Sequence, residues 1–345
     1  KNKIQIVLLL LSTLLCAEKM HAQDLHFSQF FETPLLRNPA LAGLFSGDMR
    51  FQAVYRNQWQ SVTDPYKTVS MNGEFKKPIG KANDFLTIGG QILYDKAGTI
   101  AMTATHLLPT LNYHKSLSSE KNMYLSLGFM AGYVQRRIDQ SKITTNSQFD
   151  GIRYNSNLPN GESYTNTSYG YFDASVGMSF NTQLGENQDN NLFAGVAYHH
   201  LNKAPKISFY SNPAYEMVPK WVYSGGLRMN ATENSYFTFE ADYTTQKTYT
   251  ETIAGFLYSY KLDDPEDPQY LLHGGVLIRF KDAVIPVLKV EKKPISISVS
   301  YDVNISQLNP ASQSRGGFEI SLTYQKFIKN DSKYTSREAV RCPRF

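Results

Sequence analysis

The feature that most constrains this sequence is a series of short segments in which apolar and polar residues alternate with a period of two. The series begins near Asp48, and turn residues separate its segments. Such alternation is typical of β-strands with one apolar face, and a strand needs roughly 9 to 11 residues to cross a bilayer at a tilt. The sequence therefore predicts fourteen strands, at 48–59, 66–77, 84–95, 100–113, 122–137, 169–182, 191–201, 220–230, 235–244, 248–261, 270–280, 283–291, 294–303 and 316–328.

The clearest of these segments is NMYLSLGFMAGYVQRR at 122–137. The residues on its apolar face are Met123, Leu125, Leu127, Phe129, Ala131 and Tyr133. Its other face carries mostly small or polar residues such as Ser126 and Gln135. One face is expected to meet lipid and the other the lumen, and the 317–327 segment follows the same pattern as a closing strand.

Composition favours a membrane barrel over a soluble β-sandwich, which would also show alternation. The chain holds 23 Tyr, 20 Phe and 22 Gly, and its mean hydropathy is −0.38. Outer-membrane barrels average to such ordinary hydropathy because lipid-facing and lumen-facing residues alternate. Tyrosines near the predicted strand ends suit the aromatic girdle of a membrane protein. They are Tyr94, Tyr113, Tyr124, Tyr133, Tyr258, Tyr260, Tyr301 and Tyr324.

The start of the chain has the pattern of a secretory signal peptide. Lys1 and Lys3 precede an apolar run from Ile4 to Leu15, which is shorter than the roughly 20 residues of a spanning helix. We therefore expect export to the outer membrane of a Gram-negative bacterium. The expected organisation is a signal peptide at 1–22, a plug or periplasmic segment at 23–47, a transmembrane β-barrel at 48–328 and a tail at 329–345.

Two long connections, at 138–168 and 202–219, follow predicted strands 5 and 7. An even strand count puts both ends of the barrel wall on the periplasmic side, so connections after odd-numbered strands are expected outside the cell. The loop aromatics are candidates for a partner-binding surface, with packing of the loops on themselves as the alternative. They are Phe149, Tyr154, Tyr164, Phe209, Tyr210 and Tyr215.

The sequence offers little that indicates catalysis, cofactors or metal binding. It contains no Gly-x-Ser-x-Gly, no His-Glu-x-x-His and no phosphate-binding glycine loop before a helix. His199 and His200 are neighbours on a predicted strand and should point to opposite faces, so they are not expected to bind one metal. The net charge of +5 is spread among acids without a basic aromatic cluster, which excludes a nucleic-acid partner from our expectations.

The segment FSQFFETPLLRNPALAG at 27–43 is too aromatic for a linker. Pro34 and Pro39 prevent a continuous helix, while the phenylalanines and leucines require burial. We expect the segment to pack in the barrel lumen as a partial plug, where irregular backbone is tolerated. The alternative is a docking strip for a periplasmic partner. Arg37 and Arg56 are expected to pair with lumen acids such as Glu74 or Glu319, with arginines exposed to solvent as the alternative.

Three motifs resemble the PorP/SprF family of outer-membrane proteins of the Bacteroidota. They are DLHFSQFFETPLLRNPALAG at 24–43, YRNQW at 55–59 and CPRF at 342–345. The resemblance covers essentially the whole chain after the signal peptide. The residues carried over as motif positions are Phe27, Ser28, Gln29, Pro34, Asn38, Pro39, Ala40, Gly43, Tyr55, Arg56, Gln58 and Trp59.

This resemblance implies a barrel without enzymatic activity or cofactor that serves type IX secretion or gliding. The implied partners are a large secreted surface protein or adhesin, or periplasmic ring lipoproteins, together with outer-membrane lipid. The sequence does not choose between exporting or anchoring an adhesin and holding the secretion motor. A diffusion channel for hydrophobic or small polar solutes is the alternative function, because barrels of this size enclose a pathway.

Overall fold

The alternating segments form one closed antiparallel sheet. The computed structural model of the 345-residue chain describes residues 25–60, 64–79, 83–164, 166–185, 190–205, 207–209, 216–307 and 312–328. The strands are β1 (Met49–Gln58), β2 (Tyr66–Ile79), β3 (Asp84–Ala97), β4 (Met102–Ser118), β5 (Met123–Arg137), β6 (Ser168–Gln183), β7 (Asn191–His199), β8 (Lys220–Thr232), β9 (Ser235–Gln246), β10 (Tyr249–Lys261), β11 (Tyr270–Arg279), β12 (Ala283–Lys292), β13 (Ile295–Asn304) and β14 (Arg315–Lys326).

Closure of the sheet confirms the predicted barrel. Each strand pairs with its sequence neighbours, and β1 pairs with β14 from Met49 opposite Lys326 to Gln58 opposite Gly317. Closure leaves no unpaired edge, which a barrel in lipid requires. The largest boundary difference is at β4, which continues to Ser118 instead of ending at 113, because the inward and outward alternation continues there.

The two faces of the strands follow the predicted pattern. On β5, Leu127 and Phe129 are 61% and 49% exposed on the outer face, whereas Ser126 is buried on the inner face. The prediction that Tyr124 belongs to the outer aromatic girdle is wrong. It shares the inward face with Ser126, is 4% exposed, and packs against Phe85 with ring centroids 5.4 Å apart.

Connections after odd-numbered strands lie at one end of the barrel, called here the long-loop end. The two long connections, 138–167 and 200–219, both lie there. They contact each other, since the Phe209 and Tyr169 ring centroids are 4.7 Å apart and the Asn166 amide donates to the Phe209 carbonyl. The opposite end is the short-turn end, where the chain enters β1 and leaves β14.

Residues 25–47, called here the N-terminal segment, lie inside the barrel. The segment runs from the level of Arg56, near the long-loop end of β1, to the level of Arg50, near the short-turn end. It contains two 3-10 turns, Phe30–Glu32 and Pro39–Leu41, and one short helix, α1 (Pro34–Arg37). Two further 3-10 turns, Gln140–Lys142 and Asn146–Gln148, lie in the first long loop. Helices in the described ranges are all too short or too polar to span a membrane.

The apolar residues of the N-terminal segment pack on apolar patches of the inner wall. Phe30 and Phe31 cluster with inward residues of β10, β11 and β12, including Leu257 and Leu277. Leu35 lies in a second cluster on β4 and β5. Full burial of each such side chain contributes about 1.5–3 kcal/mol, so the prediction that these residues need burial is met inside the lumen.

Candidate functional site

The two N-terminal sequence motifs meet at one buried carboxylate. Glu319, on the inner face of β14, accepts hydrogen bonds from the backbone amides of Ser28 at 2.6 Å and Gln29 at 2.8 Å. The Arg56 guanidinium of β1 lies 3.1 Å from the same carboxylate. The predicted pairing of Arg56 with Glu319 is therefore present. It ties the start of the N-terminal segment to the strand pair that closes the barrel.

A second carboxylate extends this arrangement. Asp302 on β13 lies 3.1 Å from Arg56 and 3.3 Å from Arg279 of β11, and it accepts a hydrogen bond from the Ser28 hydroxyl at 2.7 Å. Arg279 also donates to the Ser28 hydroxyl, and Arg56 donates to the His26 carbonyl. We call the side chains of Arg56, Arg279, Asp302 and Glu319 the Arg56 network. All four side chains are buried, and Arg279 makes a further ion pair outside the network, with Asp282 at 2.8 Å. The network therefore holds its charges by pairing them in a site with little access to water.

Arg37 at the end of α1 anchors the middle of the N-terminal segment. Its guanidinium forms a double contact with Asp242, at 2.7 Å for both nitrogens, and lies 2.8 Å from Glu240. Burial alone lowers the pKa of Arg37, but Asp242 and then Glu240 outweigh it and hold the pKa above its ordinary value. Arg37 is thus a permanent cation that fixes α1 to β9.

Arg37 pairs with lumen acids as expected, but these acids are Asp242 and Glu240 and not the examples Glu74 and Glu319. Glu74 pairs instead with Arg50, at 2.6 Å, and accepts a hydrogen bond from the Gly43 amide at 2.8 Å. Arg50 of β1 and Glu74 of β2 lie directly opposite each other in the strand register. The pairing of the two strands therefore brings their side chains together.

The Asn38-Pro39-Ala40 motif sits in a groove made by glycines of the wall. The Asn38 side-chain amide donates to the carbonyls of Met178 and Val196, at 3.1 and 3.2 Å, on two neighbouring strands. A Cβ added at Gly177 would lie 1.9 Å from Asn38 Oδ1, and one at Gly128 would lie 2.3 Å from the Pro39 carbonyl carbon. Glycine at these inward positions is what lets the segment backbone approach the wall.

Hydrogen bonds hold the remainder of this motif. Asn38 Oδ1 accepts from the Ala40 amide at 2.8 Å and caps the second 3-10 turn. The Ala40 carbonyl accepts from Asn112 at 2.8 Å and from the Ser179 hydroxyl at 3.0 Å. Gly43 has a φ of +82°, in the left-handed region that glycine adopts without strain, and an added Cβ would lie 2.0 Å from Thr87 Oγ1.

We predict that Asn38→Ala lowers the free energy of unfolding by about 1–3 kcal/mol, since it leaves buried carbonyls and the Ala40 amide without their partners. Urea unfolding of the purified protein in detergent micelles measures the change. Asn38→Asp keeps the acceptor for Ala40 but replaces the donor with a carboxylate facing two carbonyl oxygens. It is expected to lose at least as much stability, and wild-type stability in Asn38→Asp would contradict the assigned role of the amide.

The other predicted motif residues occupy different surroundings. Phe27 is buried against Val54 of β1 and Leu93 of β3, and Pro34 is the first residue of α1. Gln58 lies beside the Arg56 guanidinium at the end of β1. Trp59 follows with a φ of +62°, and its amide donates to the Gly316 carbonyl at 3.1 Å. Tyr55 lies on the outward face of β1, away from the Arg56 network.

Arg37 separates two spaces inside the barrel. One, of about 60 Å³, lies toward the short-turn end and is lined by residues such as Arg50 and Glu291. The other, also of about 60 Å³, lies toward the long-loop end and is lined by residues such as His26 and Gln246. Arg37 lines both spaces, so its ion pairs with β9 lie between them.

The loop aromatics divide into exposed and packed side chains. Phe149 and Tyr154 pair through an isolated bridge and are 56% and 51% exposed. Tyr164 is half-buried, and Phe209 packs on Tyr169. Tyr210 and Tyr215 lie outside the described residues. The described part of the loops thus shows both of the arrangements that the sequence allowed.

His199 and His200 do not alternate as expected. The strand ends at His199, and His200 has a φ of +60°, so both rings turn inward and are buried. His199 bonds to the Ser175 hydroxyl and the Arg37 carbonyl, whereas His200 pairs with Asp173 at 2.9 Å. Within the described ranges, no group of three or more His, Cys, Asp or Glu is placed to hold a metal ion.

Sequence reasoning missed the acids and the arginine that complete these ion pairs. They are Glu240, Asp242, Asp302 and Arg279. The sequence does contain a pattern that indicates two of these acids. Glu240 and Asp242 share the inward face of β9, and the exposed Phe239 and Tyr243 lie on its other face. Charged residues on the inward face of a lipid-exposed strand predict ion pairs inside the lumen.

The chain resembles a known protein family in sequence and several solved structures in fold. A family model described as "Type IX secretion system membrane protein PorP/SprF" matches residues 19–324, which include the N-terminal segment and almost all of the barrel. The chain belongs to the PorP/SprF family. The Arg56 network therefore lies in a membrane protein of a type IX secretion family. The search of curated proteins gives no match.

Solved structures confirm the barrel architecture. The Pseudomonas putida toluene transporter TodX is 10% identical, covers 86% of this chain and 93% of its own, and gives a TM-score of 0.52. A structure described as "TodX monoaromatic hydrocarbon channel deltaS2 mutant" is 9% identical, covers 86% and 94%, and gives 0.50. The Ralstonia pickettii toluene transporter TbuX is 10% identical, with 86% and 94% coverage and a TM-score of 0.48. At this identity the likeness to this PorP/SprF protein concerns the fold alone.

Proposed function

We propose that this protein is a non-enzymatic outer-membrane component of type IX secretion that works by holding a protein partner. The N-terminal segment acts as a fixed plug. The long loops present the surface that a secreted partner meets, and the short-turn end is the surface for a periplasmic partner. The partner is a large secreted surface protein or adhesin, or the periplasmic ring lipoproteins of the secretion apparatus, as in gliding and secretion machineries of the Bacteroidota.

The observation that carries this proposal is the anchoring of the N-terminal segment across the lumen. The Arg56 network holds its start, Arg37 holds its middle and the glycine groove holds the Asn38 motif. A buried ion pair is costly to break, because each lost partner leaves an uncompensated charge. A lumen filled in this way suits a protein that acts through its surface more than one that conducts solutes.

The diffusion channel is the second candidate function, and the two spaces on either side of Arg37 favour it. They lie on opposite sides of Arg37, with its ion pairs to β9 between them. Conduction would require those ion pairs to open. The channel therefore predicts solute passage in the isolated protein, whereas the plug predicts none.

A pull-down from native outer membranes tests the partner. We expect the tagged full chain in mild detergent to retain a large surface protein or ring lipoproteins, identified by mass spectrometry. Phe149→Ser with Tyr154→Ser should lower retention of a surface partner at least tenfold, because both side chains are exposed at the long-loop end.

The matched control is Phe280→Ser with Ile305→Ser, which changes two side chains of similar exposure on other connections at the same end. Loss with the first pair and not the second supports a loop-bound surface protein. Ring lipoproteins retained by both variants support contact at the short-turn end. If the wild-type protein retains neither a surface protein nor ring lipoproteins, the result contradicts the proposal and favours the diffusion channel.

A further inference from the structure

A row of polar side chains crosses six neighbouring strands on the outer face of the barrel, at the long-loop end. The strand register pairs Asn57 with Lys67, Lys67 with Lys96, Lys96 with Thr103, Thr103 with Arg137 and Arg137 with Ser168. All six lie on the outward-facing positions of their strands. Lys67, Lys96 and Arg137 are exposed, and among the described residues no ion pair joins any of them to an acid.

The side-by-side lysines repel each other, and a bound anion would reduce this repulsion. Lys67 and Lys96 are direct register partners, and like charges directly opposite on a sheet destabilise it. The nearby acid Asp139 is occupied, since it accepts from Ser141 and lies 3.8 Å from Lys142. Asp64 is exposed in the turn before β2, and among the described residues it forms no ion pair with the row. An anion seated on the row would relieve the repulsion.

Below this row, the same strands form an apolar hollow on the lipid-facing surface. Its floor is formed by Gly73, Gly90 and Pro109, which are register partners on β2, β3 and β4. The rim includes the exposed side chains of Met71 and Ile92, and the hollow has a volume of about 600 Å³. Small residues at three adjacent outward positions leave space that bulky side chains fill elsewhere on the wall.

The row and the hollow are separated by the depth of one membrane leaflet. From Lys96 to Gly90 the strand rises by about 20 Å, at roughly 3.3 Å per residue. At a tilt of about 45° this gives about 14 Å of depth, close to half of the roughly 30 Å hydrocarbon core. The cations therefore lie at the headgroup level, and the hollow lies where acyl chains of that leaflet end.

The width of the row narrows the choice of headgroup. Lys67 and Arg137 are three strand spacings apart, or about 14 Å, which exceeds the reach of a single phosphate. We propose that this face of the barrel binds a lipid of the lipid A class, with two phosphates on the cationic row and one acyl chain in the hollow. The proposal rests on the barrel, its register and the expected position of the long-loop end outside the cell, and it is independent of the proposed secretion function.

Native mass spectrometry of the full chain in detergent, titrated with bisphosphorylated lipid A, tests the headgroup contact. The variant Lys67→Gln with Lys96→Gln and Arg137→Gln is expected to bind at least tenfold more weakly, since each cation near a membrane surface contributes about 1 kcal/mol of attraction. The control Lys203→Gln with Lys247→Gln and Lys281→Gln removes the same charge from exposed positions at the same end and should bind like the wild type.

The hollow is tested by filling it. Gly90→Leu should lower lipid A affinity about tenfold, because it displaces about two methylenes at roughly 0.8 kcal/mol each. A Cβ at Gly90 meets its neighbours at 3.5 Å, an ordinary contact, so the wall accommodates it. The control is Gly274→Leu, an outward glycine on β11 with open space around its Cβ position, and it should leave binding unchanged.

Folding of every variant is verified by the gel shift of the unheated barrel. Equal losses in the variants and their controls would overturn the site. Equal affinity for phosphatidylcholine would overturn the role of the phosphates, and equal affinity for monophosphoryl lipid A would overturn the choice of a two-phosphate lipid. Selective weakening of lipid A binding in both the row and the hollow variants is the result expected.

Discussion

Glu319→Ala is expected to lower the free energy of unfolding by about 3–5 kcal/mol, the cost of breaking a buried ion pair by removing one partner. Glu319 is fully buried and accepts from two backbone amides of the N-terminal segment as well as from Arg56. Without it, Asp302 is the one acid left in an ion pair with Arg56 among the described residues, and the amides of Ser28 and Gln29 lose their acceptor. Urea unfolding in detergent micelles measures the loss.

Two control variants distinguish the loss of the Arg56 network from the general effect of removing a carboxylate. Glu266→Ala removes an exposed carboxylate from the β10–β11 turn and should change stability by less than about 0.5 kcal/mol. Glu319→Gln keeps the size of the side chain and one acceptor, so its loss should lie between the two. A Glu319→Ala protein as stable as Glu266→Ala would show that the Arg56 network does not hold the segment.

Gly177→Val should release the N-terminal segment from the wall while leaving the strands paired. A Cβ at this position would lie 1.9 Å from Asn38 Oδ1, so the Asn38 amide loses its place over the carbonyls of Met178 and Val196. Overpacking of this kind costs typically 1–3 kcal/mol, which corresponds to a roughly 10- to 100-fold faster amide hydrogen exchange in residues 25–47.

The control for this substitution is Gly274→Val, which adds the same side chain to an outward position with no atom within 4 Å of the Cβ. Its exchange in residues 25–47 should match that of the wild type. Strand amides should keep their protection in both variants, because the ladders between neighbouring strands are not changed. Unaltered exchange of the segment in Gly177→Val would contradict the glycine groove.

Much of the fold could be predicted because a lipid-exposed barrel repeats one simple rule. Each strand must present apolar residues to lipid and small or polar residues inward, so alternation alone located all fourteen strands. The same rule placed Ser126 inside and Phe129 outside. The assignment of Tyr124 to the girdle failed because it relied on the position near a strand end, whereas the alternation puts Tyr124 on the inward face with Ser126.

The candidate site could be predicted only in part. Arg56 and Glu319 lie on the closing strand pair and face each other in register, which the strand order implies. The partners of Arg37 depend on how an irregular segment of more than twenty residues winds through the lumen, and no periodicity encodes that path. The sequence correctly predicted that Phe30 and Leu35 need burial, but not which patch of the wall would receive them.

Planar-bilayer conductance of the purified full chain, alone and with Gly177→Val or Glu319→Ala, is the most direct test of the central claim that the N-terminal segment closes the lumen. The wild type is expected to be silent, and the two variants are expected to show discrete current steps as the segment leaves the wall. Steady conductance of the wild type, unchanged by either substitution, would contradict the plug and favour a diffusion channel.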